Sequence, residues 1–192
     1  MQNKINAILL LVFAILTQGT LQAQKLNNLS IALTNETYSF PFTRFLPLHP
    51  GLEIGTTLFQ SKSGNSTHHI NAYLGGYHHQ KVENALYLRT AYSYQYNIKN
   101  TIGIDAPVGI GYQHTFYPGE TYVQNTDTGA WENKKQWGKS HALLTFGLGL
   151  TYLKANRLQP FIRYESNIDL PLYNSYLTTR TFFKLGMHIK LN

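Results

Sequence analysis

The sequence reads TIGIDAPVGIGYQHT over residues 101–115, and its side chains alternate between two kinds. Every even position from 102 to 112 is apolar, whereas the odd positions carry glycine, an aspartate, a proline or a glutamine. A period of two indicates a β-strand, because successive side chains point to opposite faces of the backbone. The glycine-rich polar face predicts a strand of a small transmembrane barrel, with its apolar face toward lipid and its glycines toward a narrow interior.

Seven further stretches alternate in the same way and are separated by segments rich in turn-forming residues. Each is long enough to cross the hydrocarbon core of a membrane at the tilt of a barrel strand. The sequence therefore predicts an all-β fold, an eight-stranded antiparallel up-and-down transmembrane β-barrel. Eight strands enclose only enough space for side chains, so we expect no open pore. The predicted strands are 29–38, 51–60, 68–79, 85–98, 101–115, 140–153, 160–168 and 180–191.

The predicted connections alternate along the chain between two rims of the barrel. Outer-membrane barrels place long loops outside the cell and short turns in the periplasm. The sequence shows this asymmetry, except that one connection on the rim of the long loops is itself short. Connections 39–50, 80–84, 116–139 and 169–179 fall on the first rim, and 61–67, 99–101 and 154–159 on the second.

The turn at 99–101 predicts the register of the two strands that it joins. Keeping their apolar faces aligned requires a loop with an odd number of residues, so Ile98 should pair with Ile102. Pro107 costs one hydrogen bond of the ladder, and we expect a β-bulge there. The same register predicts two further pairs, Arg89 with Gly111 and Gln95 with Asp105.

The first 23 residues have the pattern of a cleaved signal peptide. Lys4 supplies a positive charge, residues 7–16 are apolar, and Leu21-Gln22-Ala23 precedes the cleavage point. The sequence therefore predicts an exported barrel domain over residues 24–192. The chain has no cysteine, which excludes disulfides and thiolate metal sites. Its formal charge of +7 suits an anionic membrane surface better than nucleic acid.

The signal peptide, the eight alternating strands and the aromatic strand ends resemble the small bacterial outer-membrane barrels of the OmpA and OmpX kind. The resemblance covers about residues 29–192, and Gln24 after the cleavage point resembles exported proteins of Bacteroidota. It implies a location in the outer membrane of a Gram-negative cell, among outer-membrane lipid and lipopolysaccharide. We expect a structural, adhesive or accessory-subunit role for this barrel, without catalytic activity or a cofactor.

Six charged residues lie at strand positions that the alternation assigns to the barrel interior. They could form a proton path or a catalytic set, but a narrow lumen favours a structural set of ion pairs, since an unpaired charge inside a membrane protein costs several kcal/mol. The pair expected first is Glu165 with Lys184, on adjacent strands. The predicted set is Glu53, Arg89, Asp105, Arg163, Glu165 and Lys184.

Eight histidines raise the question of a metal site. His49, His79 and His141 should lie near the outer rim, and three imidazoles can bind zinc or copper. No spacing among the histidines is diagnostic, and the adjacent pairs 68–69 and 78–79 point to opposite faces of a strand. We therefore predict no metal site.

Some barrels of this size are enzymes that modify lipid A or phospholipid, which is the main alternative function. Such a hydrolase needs a serine beside a histidine, and no inward H-x-S pair occurs in the sequence. Ser140 and His141 point to opposite faces, so no catalytic residue is predicted. A second alternative is a soluble, calycin-like barrel with its apolar face inside and a small apolar ligand.

The connection 116–139 contains both tryptophans of the chain together with lysines. Exposed aromatic residues beside positive charges could dock another outer-membrane protein or a sugar phosphate. Alternatively, the loop folds its tryptophans onto the barrel rim. The candidate partner-binding residues are Trp131, Lys134, Lys135 and Trp137.

Overall fold

The computed structural model describes residues 28–37, 46–80, 82–117, 119, 122–133, 137–172 and 177–191. The predicted signal peptide lies outside these residues, as do Lys134 and Lys135. In the described part of the chain, no helix is long and apolar enough to span a membrane.

Eight long strands close into one antiparallel barrel, which confirms the predicted fold class. The strands follow the order β1-β10-β9-β8-β5-β4-β3-β2 around the barrel, and β1 closes onto β2. A separate two-stranded sheet, β6 and β7, lies within the longest connection. The strands are β1 (Asn28–Thr37), β2 (Pro50–Ser63), β3 (Ser66–His79), β4 (Glu83–Ile98), β5 (Ile102–Phe116), β6 (Tyr122–Gln124), β7 (Trp131–Asn133), β8 (Lys139–Tyr152), β9 (Leu158–Pro171) and β10 (Thr178–Lys190).

The turn between β4 and β5 has the predicted length and register. Ile98 pairs with Ile102, and the amide of Thr101 donates to the carbonyl of Ile98 at 2.9 Å. Lys99 and Asn100 have positive φ angles of 48° and 51°. Tight hairpin turns favour such left-handed values at both central residues, because the turn then matches the twist of the two strands. The two further predicted pairs, Arg89 with Gly111 and Gln95 with Asp105, also form.

The predicted bulge at Pro107 is wrong. Pro107 pairs with Ser93 in an unbroken β4–β5 ladder, and the β5–β8 register is the same on both sides of it. Proline removes one donor without requiring an extra residue, so the ladder loses a bond but keeps its register. The register shift lies instead in the β2–β3 ladder, between Thr57 and Phe59.

The barrel is apolar outside and polar inside. Leu33, Ile110 and Leu148 are each about two-thirds exposed, whereas Arg89 and Lys184 are 1% exposed. A soluble barrel would show the opposite arrangement, because a packed apolar interior stabilises it in water. The alternative of a soluble, calycin-like barrel is therefore wrong, and the apolar exterior faces lipid.

Interior glycines provide the space that long side chains occupy. A Cβ added to Gly75 would overlap the ring of Tyr87, and one added to Gly149 would overlap the carboxylate of Asp105. Glycine therefore lets a narrow lumen accept bulky and charged groups from neighbouring strands.

The barrel has two ends that differ in their connections. The end with connections 38–49, 80–82, 117–138 and 172–177 is called the outer end, and the end with turns 64–65, 99–101 and 153–157 the inner end. This division follows the rule that the longer loops of such barrels lie outside the cell.

Candidate functional sites

The centre of the lumen holds the six predicted charges, here called the lumen charge network: Glu53, Arg89, Asp105, Arg163, Glu165 and Lys184. Each of them is at most 3% exposed. Arg89 Nη2 lies 2.9 Å from Glu53 Oε2 and 2.9 Å from Glu165 Oε2. Lys184 Nζ bridges the same two carboxylates, at 2.7 Å from Glu53 and 2.6 Å from Glu165. The pair expected first, Glu165 with Lys184, is therefore present.

Arg163 extends the lumen charge network toward the inner end. Its Nη2 lies 2.9 Å from Asp105 Oδ2, and its Nη1 donates to the hydroxyl of Tyr73 at 3.2 Å. The guanidinium of Arg89 lies 4.2 Å from the centre of the Tyr73 ring, a cation–π arrangement. Three carboxylates and three cations give the network a formal charge of zero.

A polar cavity of about 560 Å³ lies between the lumen charge network and the inner end. Asp105 and Arg163 line it together with amide, hydroxyl and imidazole groups, including those of Asn71, His69 and His188. At Asp105 and Arg163, this cavity therefore meets the lumen charge network.

A second cluster of buried charges lies at the outer end, and sequence reasoning missed it. Arg180 contacts both Glu83 and Asp169, and its Nε lies 2.5 Å from Asp169 Oδ2. Tyr77 donates to Glu83 at 2.8 Å, and Thr178 donates to Asp169 at 3.1 Å. The sequence interpretation placed Glu83 and Asp169 in loops, but extending the alternation two residues before one strand and one residue after the other gives them inward parity.

The structure brings together two of the three histidines considered for a metal site. The rings of His49 and His79 stack with centroids 3.6 Å apart, beside the carboxylate of Glu36. His141 is not a member of this group, and its Nε2 lies 3.4 Å from Thr115 Oγ1. The prediction of no metal site did not anticipate this convergence.

A serine and a histidine meet on the outward face of β5 and β8, near the outer end. His114 Nδ1 lies 3.3 Å from Ser140 Oγ, and His114 Nε2 lies 2.6 Å from the carbonyl oxygen of Trp137. The hydroxyl of Tyr112 lies 2.8 Å from Ser140 Oγ. The sequence interpretation compared Ser140 only with its neighbour His141, whereas the partner comes from the adjacent strand.

The predicted partner-binding loop contains a short hairpin. Strands β6 and β7 pair through three residues each, and Asn125 bonds Ala130 and Glu132 across the turn, both at 2.8 Å. Trp131 is 68% exposed and Trp137 is 79% exposed, so most of both indole surfaces is available for contact. This exposure disfavours the alternative in which both rings fold onto the rim.

These observations define the class of the protein. A closed eight-stranded barrel with an apolar exterior and an ion-paired interior is a transmembrane β-barrel, and barrels of this construction reside in the outer membrane.

Known structures share this fold at low sequence identity. The outer membrane enzyme PagL is 11% identical, with 85% of this chain and 99% of that chain covered and a TM-score of 0.51. Neisserial surface protein A is 8% identical, with 85% and 95% covered and a TM-score of 0.47. Ail, the attachment invasion locus protein of Yersinia pestis, is 11% identical, with 85% and 95% covered and a TM-score of 0.44.

No protein-family model matches the chain, and no curated protein matches it. The resemblance to small outer-membrane barrels is confirmed at the level of the fold. The relation to Bacteroidota stays a prediction.

Proposed function

We propose that this protein is a non-conducting outer-membrane barrel with a structural, adhesive or accessory-subunit role. The lumen charge network carries this proposal, because its ion pairs cross the lumen between strands that are not neighbours in the barrel. Arg89 of β4 contacts Glu165 of β9, and Lys184 of β10 contacts Glu53 of β2. Opening a passage would separate buried charges, and breaking one such pair costs about 3–5 kcal/mol.

The outer end supplies the surface for contact with partners in this proposal. The β6–β7 hairpin presents Trp131, and Trp137 follows it, while the apolar exterior is surrounded by membrane lipid and lipopolysaccharide. Tryptophan is enriched among the residues that dominate binding at protein interfaces. An accessory subunit requires a partner, and in this proposal the partner is another outer-membrane protein that contacts the hairpin.

Conductance measurements test the non-conducting barrel directly. The refolded protein is inserted into planar lipid bilayers, and insertion is verified by protease protection of reconstituted vesicles. We expect that the inserted protein gives no discrete current steps in 1 M potassium chloride. A reproducible open channel in the wild-type protein would overturn it.

Photo-crosslinking in cells tests the contact surface. A photoreactive residue at Val123, on the hairpin, should give a discrete protein adduct, and Trp131→Ala should weaken that adduct. The same probe at Leu74, on the lipid-facing side of β3, is the control and should give no protein adduct. Without a discrete adduct from Val123, the accessory-subunit role fails and only a structural or adhesive role stands.

A second candidate function, lipid ester hydrolysis, is favoured by the pair of Ser140 and His114. The carbonyl oxygen of Trp137 can only accept a hydrogen bond, so His114 Nε2 carries the proton in this contact. Nδ1 is then an acceptor, with the Tyr112 hydroxyl 3.1 Å away and the Ser140 hydroxyl 3.3 Å away, and the contact with Ser140 has the relation of a base to its nucleophile. Both side chains lie on the lipid side of the barrel, where an ester bond of a membrane lipid could reach them. PagL shows that this fold can belong to an enzyme.

Mass spectrometry of lipids tests this second candidate. Phospholipid and lipid A are incubated with the reconstituted protein, and released acyl chains are measured for the wild type, Ser140→Ala and His114→Ala. Ser66→Ala is the matched control, because Ser66 bonds a tyrosine hydroxyl at 2.8 Å as Ser140 does but lies near the inner end. Acyl release that both site variants abolish supports the enzyme. Wild-type protein that releases no acyl chain excludes it for these substrates.

A further inference from the structure

Three side chains with metal-binding atoms converge at the outer end of the barrel. Glu36 near the end of β1, His49 just before β2 and His79 at the end of β3 each place one such atom within 4.8 Å of the others. Two imidazoles and one carboxylate are a ligand set that proteins use for zinc, with a fourth position left for water. These three residues are here called the outer-end triad.

Backbone contacts hold His49 against β1. The amide of Glu36 donates to the carbonyl of His49 at 3.1 Å, and the amide of His49 donates to Asn35 Oδ1 at 2.8 Å. His49 Nδ1 lies 2.8 Å from the carbonyl oxygen of Glu36, which can only accept, so this nitrogen carries the proton. Nε2 is then the nitrogen with a lone pair. Metal-bound histidines usually have such a hydrogen bond from the other ring nitrogen.

Glu36 provides an independent observation. Its side chain is 0% exposed, and among the described residues neither carboxylate oxygen has a hydrogen-bond partner. His49 Nδ1 lies 3.7 Å from Glu36 Oε2, too far for a hydrogen bond. A buried polar group without a partner is costly, and a bound cation would satisfy both oxygens.

The charges around the outer-end triad favour a cation. Glu83, Asp169 and Arg180 all act electrostatically on Glu36. Together with Glu36 they amount to three carboxylates and one guanidinium, a formal charge of −2 when all are ionised. A net negative, poorly hydrated environment attracts positive charge.

We propose that Glu36, His49 and His79 form a binding site for a divalent transition-metal cation of the zinc class. Imidazole nitrogens suit zinc and copper, whereas calcium and magnesium prefer oxygen ligands. The site lies at the end of the barrel that faces the cell exterior, so the cation would come from the medium. The proposal is independent of the contact surface and of lipid hydrolysis.

Zinc binding by purified protein tests the proposal. The protein is refolded in detergent without a histidine tag and treated with a chelator, and Zn²⁺ is then added in a calorimetric titration. The wild type should bind one Zn²⁺ per chain, and X-ray absorption should show nitrogen and oxygen ligands at about 2.0–2.2 Å. Excess Ca²⁺ or Mg²⁺ should not compete. Absence of one-to-one Zn²⁺ binding by the wild type would overturn the proposal.

Variants locate the site. His79→Ala and Glu36→Gln should each weaken Zn²⁺ binding by about tenfold or more, because even the loss of an outer-shell partner costs 10–100-fold. His78→Ala is the matched control, since it removes an adjacent imidazole on the opposite face of β3, where His78 Nδ1 contacts Asn84 Oδ1 at 2.5 Å. Heat-modifiable gel mobility shows that each variant is folded, and Glu36→Gln retains the shape of the side chain. Equal affinity in His79→Ala and the wild type, or an equal loss in His78→Ala, would contradict the assignment.

Discussion

Arg89 on β4 and Glu53 on β2 form an ion pair across the intervening strand β3, with Nη2 2.9 Å from Oε2. The register places Gly75 of β3 opposite Glu53 on one side and opposite Tyr87 on the other. Tyr87 lies over Gly75 and donates to Glu53 at 2.9 Å. The absence of a side chain at Gly75 thus lets the Tyr87 ring cross β3 and bond to the carboxylate that pairs with Arg89.

Removing one member of this pair should strongly destabilise the barrel. Arg89→Leu leaves Glu53 and Glu165 with fewer positive partners at positions that are at most 3% exposed. We expect the free energy of unfolding to fall by about 3–5 kcal/mol, measured by urea titration of protein in lipid vesicles. Lys62→Met removes an exposed charge and should change it by no more than about 0.5 kcal/mol. Equal stability of the two variants would show that the lumen charge network does not hold the barrel together.

Filling an interior glycine should also destabilise the barrel. A methyl group at Gly149 overlaps Asp105, which Arg163 holds at 2.9 Å. We expect Gly149→Ala to cost about 1–3 kcal/mol of unfolding free energy, the usual range for overpacking. Gly119 has no atom within 4 Å of an added Cβ, so Gly119→Ala should leave the urea midpoint unchanged. A similar midpoint shift in both variants would refute this explanation of the glycines.

A charge on the outer face should be tolerated only outside the membrane. Ile110 is 65% exposed and lies midway along β5. Ile110→Arg should lower the unfolding free energy in vesicles by about 2–4 kcal/mol, as for an arginine near the bilayer midplane. Val123→Arg, on the outer hairpin, should have little effect. Should Ile110→Arg prove as stable as the wild type, this face of β5 does not contact lipid.

The turn at Lys99 offers a stabilising substitution. Lys99 has a φ of 48°, a conformation that costs most residues about 1 kcal/mol but that asparagine adopts more readily. Lys99→Asn should therefore raise the urea midpoint slightly. Lys154→Asn, in the turn after β8 and without a positive φ, is the control and should not. A lower midpoint for Lys99→Asn would show that the lysine side chain itself stabilises the turn.

Alternation in the sequence was sufficient to predict most of the barrel. Parity alone assigns each strand residue to lipid or lumen, which is why all six members of the lumen charge network were found. The alternation was also sufficient to predict the Ile98–Ile102 pair, because a short turn allows few registers between the two strands that it joins. The alternation is less clear at the strand ends, where Glu36, Glu83 and Asp169 lie, so the buried charges at the outer end were missed.

Contacts between strands joined by long connections could not be predicted in this way. The pair of His114 and Ser140 depends on the β5–β8 register, and 22 residues separate the two strands. Parity fixes the face of each residue but not which residues lie opposite each other. The stacking of His49 on His79 has the same origin, since it depends on how the segment before β2 returns to the barrel.

Site-directed spin labelling along β4 tests the orientation of the sheet most directly. The chain has no cysteine, so single cysteines can be introduced one at a time from residue 85 to residue 98 and labelled in lipid vesicles. We predict that the collision rate of the label with oxygen alternates with a period of two, being high at Leu86, Leu88 and Tyr92 and low at Ala91 and Ser93. Outward labels that collide with a water-soluble nickel complex instead of oxygen, or no alternation at all, would contradict it.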